Sequence, residues 1–287
     1  MAFNPRHAAV AILIGSVATA SAPALAATWS DALIGYRVGN EFHDPGNDNS
    51  VRKHIVQFSY VAGYTYGLNY FNVDVLSSSD EDPANGSSTG ATEFYLAYRH
   101  QLHLGKLMEQ PVAFGPVKDV AITAGFDLQT KNSEFAPRKR MLVVGPTLKF
   151  DVPGFLDVSL LYTQEWNHCG LSVCANVPGF STDHKFDPYP RLEAAWGVPF
   201  MLGSVPLKYQ GFLAINGEKG KDYFNQETET ETLFRSALMV DVGQLAYGKK
   251  NTFLMGVGYE LWRNKFGNHD KPGVDTDAPT LNLEFHF

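Results

Sequence analysis

The sequence predicts an all-β fold, a 12-stranded antiparallel transmembrane β-barrel of the bacterial outer membrane. Three observations carry that prediction: apolar and polar residues alternate in segment after segment, the chain opens on an export segment, and the last alternating segment ends on Phe287. Alternation with a period of two is the mark of a strand with two unlike faces. Residues 118–130 show it most cleanly. Val120, Ile122, Ala124, Phe126 and Leu128 share one face, while Asp119, Ala121, Thr123, Gly125, Asp127 and Gln129 share the other. Residues 155–166 repeat the pattern with Leu161 as an exception, and residues 280–287 repeat it again.

The first 26 residues have the layout of a secretory signal peptide: a basic start at Arg6 and His7, an apolar stretch from Ala8 to Val17, and an Ala24-Leu25-Ala26 cleavage triplet. Removing them leaves residues 27–287 as the mature domain. No other apolar run reaches the 18 residues a helical span needs, whereas a barrel strand needs only about 9 to 11. The whole chain carries 23 basic and 30 acidic residues, a net charge of −7, with no basic block. Nucleic acid is therefore not an expected partner.

Twelve strands are expected, near 29–42, 51–62, 64–76, 91–104, 118–130, 140–151, 155–167, 186–199, 206–217, 229–242, 251–264 and 279–287, and nothing helical. The stretch 64–76 changes phase after Tyr70, which either a bulge or a sealed lumen would explain. Connections alternate between polar, mostly long ones (43–50, 77–90, 131–139, 167–185, 218–228, 265–278) and tighter ones, with 105–117 breaking the short set. Long loops at one end and short turns at the other suit an outer-membrane barrel, with turns and termini in the periplasm.

A soluble β-sandwich would alternate too. Its polar face, however, should be rich in Lys, Glu and Thr. Here that face places Gly125, Gly145, Gly197, Gly256 and Gly258 between charges, which suits a crowded lumen. The apolar face ends in aromatics such as Phe58, Tyr60, Phe94, Tyr162, Tyr209 and Phe285, as interfacial girdles do. A terminal Phe287 completes the pattern and is the expected recognition point for the barrel-assembly machinery.

A polar face turned inward would hold Arg37, Glu93, Arg99, Asp127, Lys149, Glu165, Arg191, Glu193, Lys208, Glu231, Arg235 and Glu260. Both signs are interleaved, so a pore lined by them would not strongly prefer anions or cations. Either these charges form cross-strand ion pairs that only hold the barrel's shape, or some of them touch solute. Tyr95, Phe212 and Trp262 fall on the same face as Glu93, Arg99 and Glu260. Rings stack flat solutes and charged groups bind hydroxyls, so these six are the candidate substrate-binding residues, with lumen filling as the competing role of each ring.

Catalytic and metal arrangements are not expected. His100 and His103 lie three apart on a strand and face opposite ways, and His168 and His184 have no convincing nucleophile. No cofactor is implied. Cys169 and Cys174, the only cysteines, are expected to form a disulfide in the loop after the seventh strand. Asp80, Glu81 and Asp82 and the cluster Asp270, Asp275 and Asp277 read as solvated loop, with divalent bridging to lipopolysaccharide as the alternative.

Several stretches resemble the nucleoside-specific channel-forming Tsx-like family of outer-membrane proteins: Trp29-Ser30-Asp31, the run from Gly63 to Asp74, Tyr98-Arg99-His100, the run from Met141 to Thr147, and Trp262 to Gly267. The likeness spans nearly the whole mature chain. It implies a monomeric twelve-stranded barrel with a narrow channel, nucleoside sites lined by aromatic and ionisable residues, and use by some phages and colicins as a receptor. The other functions compatible with the residues are a general or differently selective porin, a lipid-modifying barrel enzyme, and a structural barrel.

Overall fold

A computed structural model describes residues 27–287, so the predicted signal peptide lies outside the described residues. The elements are β1 (Trp29–Asp44), β2 (Asn47–Tyr64), β3 (Gly67–Ser78), β4 (Thr92–His103), α1 (Leu104–Leu107), β5 (Val117–Lys131), β6 (Arg138–Phe150) and β7 (Phe155–His168). They continue as α2 (Ser172–Asn176), β8 (Asp183–Lys185), β9 (Tyr189–Leu202), β10 (Val205–Asn216), β11 (Glu231–Asp241), α3 (Val242–Tyr247), β12 (Phe253–Arg263) and β13 (Thr276–His286). All twelve expected strands form. β8 is an additional three-residue strand that pairs only with the end of β7.

Each long strand pairs antiparallel with its neighbours in the chain, and the sheet closes where β1 meets β13, from Leu33–His286 to Val38–Leu281. The Phe287 N–H donates to the Ala32 carbonyl at 2.9 Å, so the terminal aromatic is zipped onto the first strand. Closure leaves the barrel no free edge, the condition for placing β-structure in hydrocarbon.

Polarity is inverted relative to a water-soluble protein. Leu160 and Leu281 on the outside are 58% and 62% exposed, while Asp127 and Glu165 inside are 1% and 2% exposed. An exterior with this much contiguous apolar surface would be an aggregation liability in water and is at home in a bilayer. The fold is thus the predicted 12-stranded antiparallel transmembrane barrel.

Two sequence expectations are corrected, and the two explanations of the phase change are separated. Residues 43–50 are no long loop: β1 and β2 run on to a tight turn at Pro45-Gly46, with Gly46 at φ 87°. Register shifts between Gly39 and Asp44 bulge β1, which turns Glu41 outward and Phe42 inward against Val51, Ile55 and Ala278. The phase change in 64–76 is not a bulge, because β3 pairs with β2 and β4 without a register shift. Tyr70 and Leu76 simply face a filled interior, as does Leu161, which packs on Met141 and Val143. Lastly, short helices do occur, in the 105–117 connection, in the disulfide loop and after β11.

Two outcomes follow from closure. Detergent-solubilised protein is expected to migrate differently boiled and unboiled on a gel, because the closed wall pairs each strand with both neighbours and leaves no edge from which to unravel. Deleting Phe287 should reduce the fraction that reaches the heat-modifiable form in cells.

Candidate functional site: the lumen

Alternation directs most of the charged residues on the strands into one narrow space, and they pair with partners across it as well as beside them. Arg99 on β4 donates to Asp127 on β5 at 2.5 Å and to both carboxylate oxygens of Glu193 on β9, at 3.2 and 3.0 Å. Three strands separate β4 from β9 around the wall, so this contact crosses the lumen. Arg235 on β11 lies 2.7 Å from Glu260 on β12 and 3.5 Å from Asp74 on β3, a second crossing. Arg37 meets the same Asp74 at 3.4 Å.

The first network is long. Glu193 also accepts from Arg191 at 2.9 Å, Arg191 donates to Asn216 at 2.8 Å, and Asn216 donates to Glu231 at 2.8 Å. Glu231 in turn accepts from the Trp262 indole at 2.8 Å and the Phe266 N–H at 2.9 Å. Gly125 makes room for the guanidinium stem: a Cβ there would stand 2.9 Å from Arg99 Cδ and 2.1 Å from the Tyr98 carbonyl oxygen.

All six candidate binding residues lie on inward positions, but they fall into three groups rather than one pocket. Tyr95 donates to Asp127 at 2.6 Å and so joins Arg99. Phe212 lies under the Arg235 guanidinium, 5.0 Å from its ring centroid, and so joins Glu260. Glu93 accepts from Gln129 at 2.5 Å near the loop-side end, 4.0 Å from Lys53. Trp262, also at that end, is covered by Lys265 at 4.4 Å and by Phe266 at 5.2 Å.

Some of the residues that shape the lumen were not singled out from sequence. Asp74 is the hub of the second crossing, yet the phase ambiguity of its strand hid its direction; counting back from Phe71, Val73 and Val75 would have found it. Asp44 gathers Lys53, Lys131 and Lys265 at 2.9, 2.9 and 2.6 Å. It faces inward only because of the β1 bulge, which the sequence pattern did not show.

Loops close over the long-loop end. Cys169 and Cys174 are disulfide-bonded and pack with Phe186, Tyr223, Phe135 and Phe224 into an apolar cap. Beneath it Glu165 is held by Lys139 at 3.5 Å, Lys219 at 3.1 Å and the Tyr189 hydroxyl at 2.8 Å. At the turn end a cavity of about 470 Å³ opens beside His103, Lys106, Lys118, Asp119 and Lys149. His100 pairs with Tyr64 and Asn69 while His103 faces Asp119, on opposite faces as expected. His184 does meet a hydroxyl, that of Ser181 at 3.1 Å, but its other nitrogen is spent on the Lys221 carbonyl, so the contact ties two loops together.

Fold and lumen together define a membrane-spanning barrel with a pinched polar interior. No family model matches the chain, and none of the curated proteins does. Among solved structures it is similar to the translocator domain of the autotransporter NalP from Neisseria meningitidis, at 12% identity over 91% of this chain and 90% of that one, TM-score 0.47. It is also similar to the KdgM porin, at 11% identity over 89% and 99%, TM-score 0.42. The NanC porin gives 10% identity over 90% and 99%, TM-score 0.42.

The disulfide closes a loop with a sequence separation of only 5 residues, so its stabilisation by chain entropy is roughly 2 kcal/mol and local to the cap. The double variant Cys169→Ser/Cys174→Ser is expected to keep the wild-type heat-modifiable band. Its loop 169–188 should become faster to cleave by added protease.

Proposed function

We propose that the chain is an outer-membrane channel for small solutes, and that nucleosides are the solutes it takes. The observation that carries this reading is the pairing of ring and ion at each crossing: Tyr95 beside Asp127–Arg99–Glu193, and Phe212 beneath Arg235–Glu260. A flat solute can lie on a ring face while its hydroxyls exchange hydrogen bonds with carboxylates already held in place. The second crossing balances Arg37 and Arg235 against Asp74 and Glu260, which favours neutral solutes over ions of either sign. The resemblance of the Gly63–Asp74, Tyr98–His100 and Trp262–Gly267 runs to Tsx-like channels supports the same solute class. On this reading the short turns and Phe287 face the periplasm and the disulfide cap faces outward, where phages or colicins would meet it.

A second reading is favoured by the directness of the two crossings: a structural barrel whose lumen is closed by its own ion pairs. Planar-bilayer recording separates the two. Wild-type protein should carry a small ion current that added nucleoside blocks. Tyr95→Ala, Phe212→Ala and Trp262→Ala should each weaken block by about 1 to 3 kcal/mol if a base stacks on the ring removed. Current that appears only after Arg99 or Arg235 is replaced would establish the closed barrel, and unchanged block in all three ring variants would remove the nucleoside site from the lumen.

A further inference from the structure

We propose that the outer wall across β3 to β6 carries a binding site for one phosphate-bearing glycolipid of the surrounding outer leaflet, with its acyl chain along an apolar row and its phosphate on Arg138 and Arg140. The proposal rests on the outer-membrane reading above, though not on channel activity.

Strand register builds the site. Val73 pairs with Leu96, Leu96 with Leu128, and Leu128 with Arg140, so three outward apolar side chains and a guanidinium stand in one row across four strands. The next row runs Val75, Phe94, Thr130, Arg138. Between these rows lies a groove of about 430 Å³, within the range of small-ligand sites. Its apolar flank is open, with Phe94 48% and Leu128 42% exposed.

Charge identifies the occupant. Arg138 and Arg140 are exposed at the loop-side end of β6, whereas Lys139 between them turns inward to Glu165. Residues two apart on a strand stand about 7 Å apart on one face, close enough for both guanidinium forks to engage one phosphorylated headgroup. Among the described residues no carboxylate lies within 4.0 Å of either guanidinium. Arg138 Nη2 instead meets His168 Nδ1 at 2.7 Å. The acid nearest in effect is the exposed Asp183, whose carboxyl is held below its ordinary range chiefly by the His168 hydrogen bond, with Arg138 and Arg140 adding to it. Trp166, opposite Arg140 on β7, supplies the aromatic neighbour common at headgroup level. Water-soluble anions would find only half of this site useful, because the rest of both rows is mostly apolar.

Delipidated barrel in detergent, titrated with diphosphoryl lipid A and read by native mass spectrometry, tests the proposal. One lipid per barrel is expected. Arg138→Gln/Arg140→Gln should bind at least tenfold more weakly while keeping the heat-modifiable band, and Asp183→Asn should bind at least as well as wild type. Equal retention by the double arginine variant would overturn the site. So would equal binding of a phosphate-free lipid, which would leave only generic interfacial arginines, or displacement of the lipid by inorganic phosphate at matched concentration. Because the readout needs no current, failure here leaves the channel proposal standing, and failure of nucleoside block leaves this one standing.

Discussion

A charged side chain inside this barrel has a thin protein wall and then hydrocarbon behind it, so it must find its partner within the lumen. Arg99 shows how that constraint shapes the molecule. Its guanidinium holds Asp127 on one side and reaches Glu193 on the far wall, and Arg191 and Glu231 extend the pairing until the loop-side aromatics are included. Ion pairs of this kind add little net stability over an apolar filling, yet losing one partner costs about 3 to 5 kcal/mol because the other is left unpaired. The network therefore acts mainly on shape: it fixes where the lumen is narrow and which groups are left without a partner in it.

The same constraint explains the small residues of the inner wall. Gly125 is glycine because the Arg99 stem and the Tyr98 carbonyl occupy the space of its missing side chain. Outside, the requirement reverses, and leucine, valine and aromatic side chains stand free where a soluble protein would carry charge. Arg138 and Arg140, exposed at the loop-side end of β6, stand out against that background.

Strand number and order, and facing away from β3 and the β1 bulge, were legible in the sequence because a period of two is a local signal repeated along the chain. Cys169 and Cys174 were legible for a simpler reason, there being no other cysteines to pair. Partnership was not legible. Nothing in the alternation of β4 or β9 says that Arg99 and Glu193 meet, since that depends on barrel circumference and stagger. The bulge at Gly39–Phe42 reversed the facing of Asp44, which brings it against Lys53, Lys131 and Lys265. Sequence placed Tyr95, Phe212 and Trp262 on the polar face, but only closure distributes them among three clusters.

The central claim is that the Arg99–Glu193 contact sets the width of the lumen. Single-channel conductance of wild type, Arg99→Glu, Glu193→Arg and the charge-swapped double variant tests it most directly. Both single reversals should raise and destabilise the conductance by driving like charges apart, and the swap should return it only part of the way toward the wild-type value, because the moved carboxylate then faces Asp127 and the moved guanidinium faces Arg191. Conductance that is the same in all four proteins would contradict the claim and place the constriction elsewhere in the barrel.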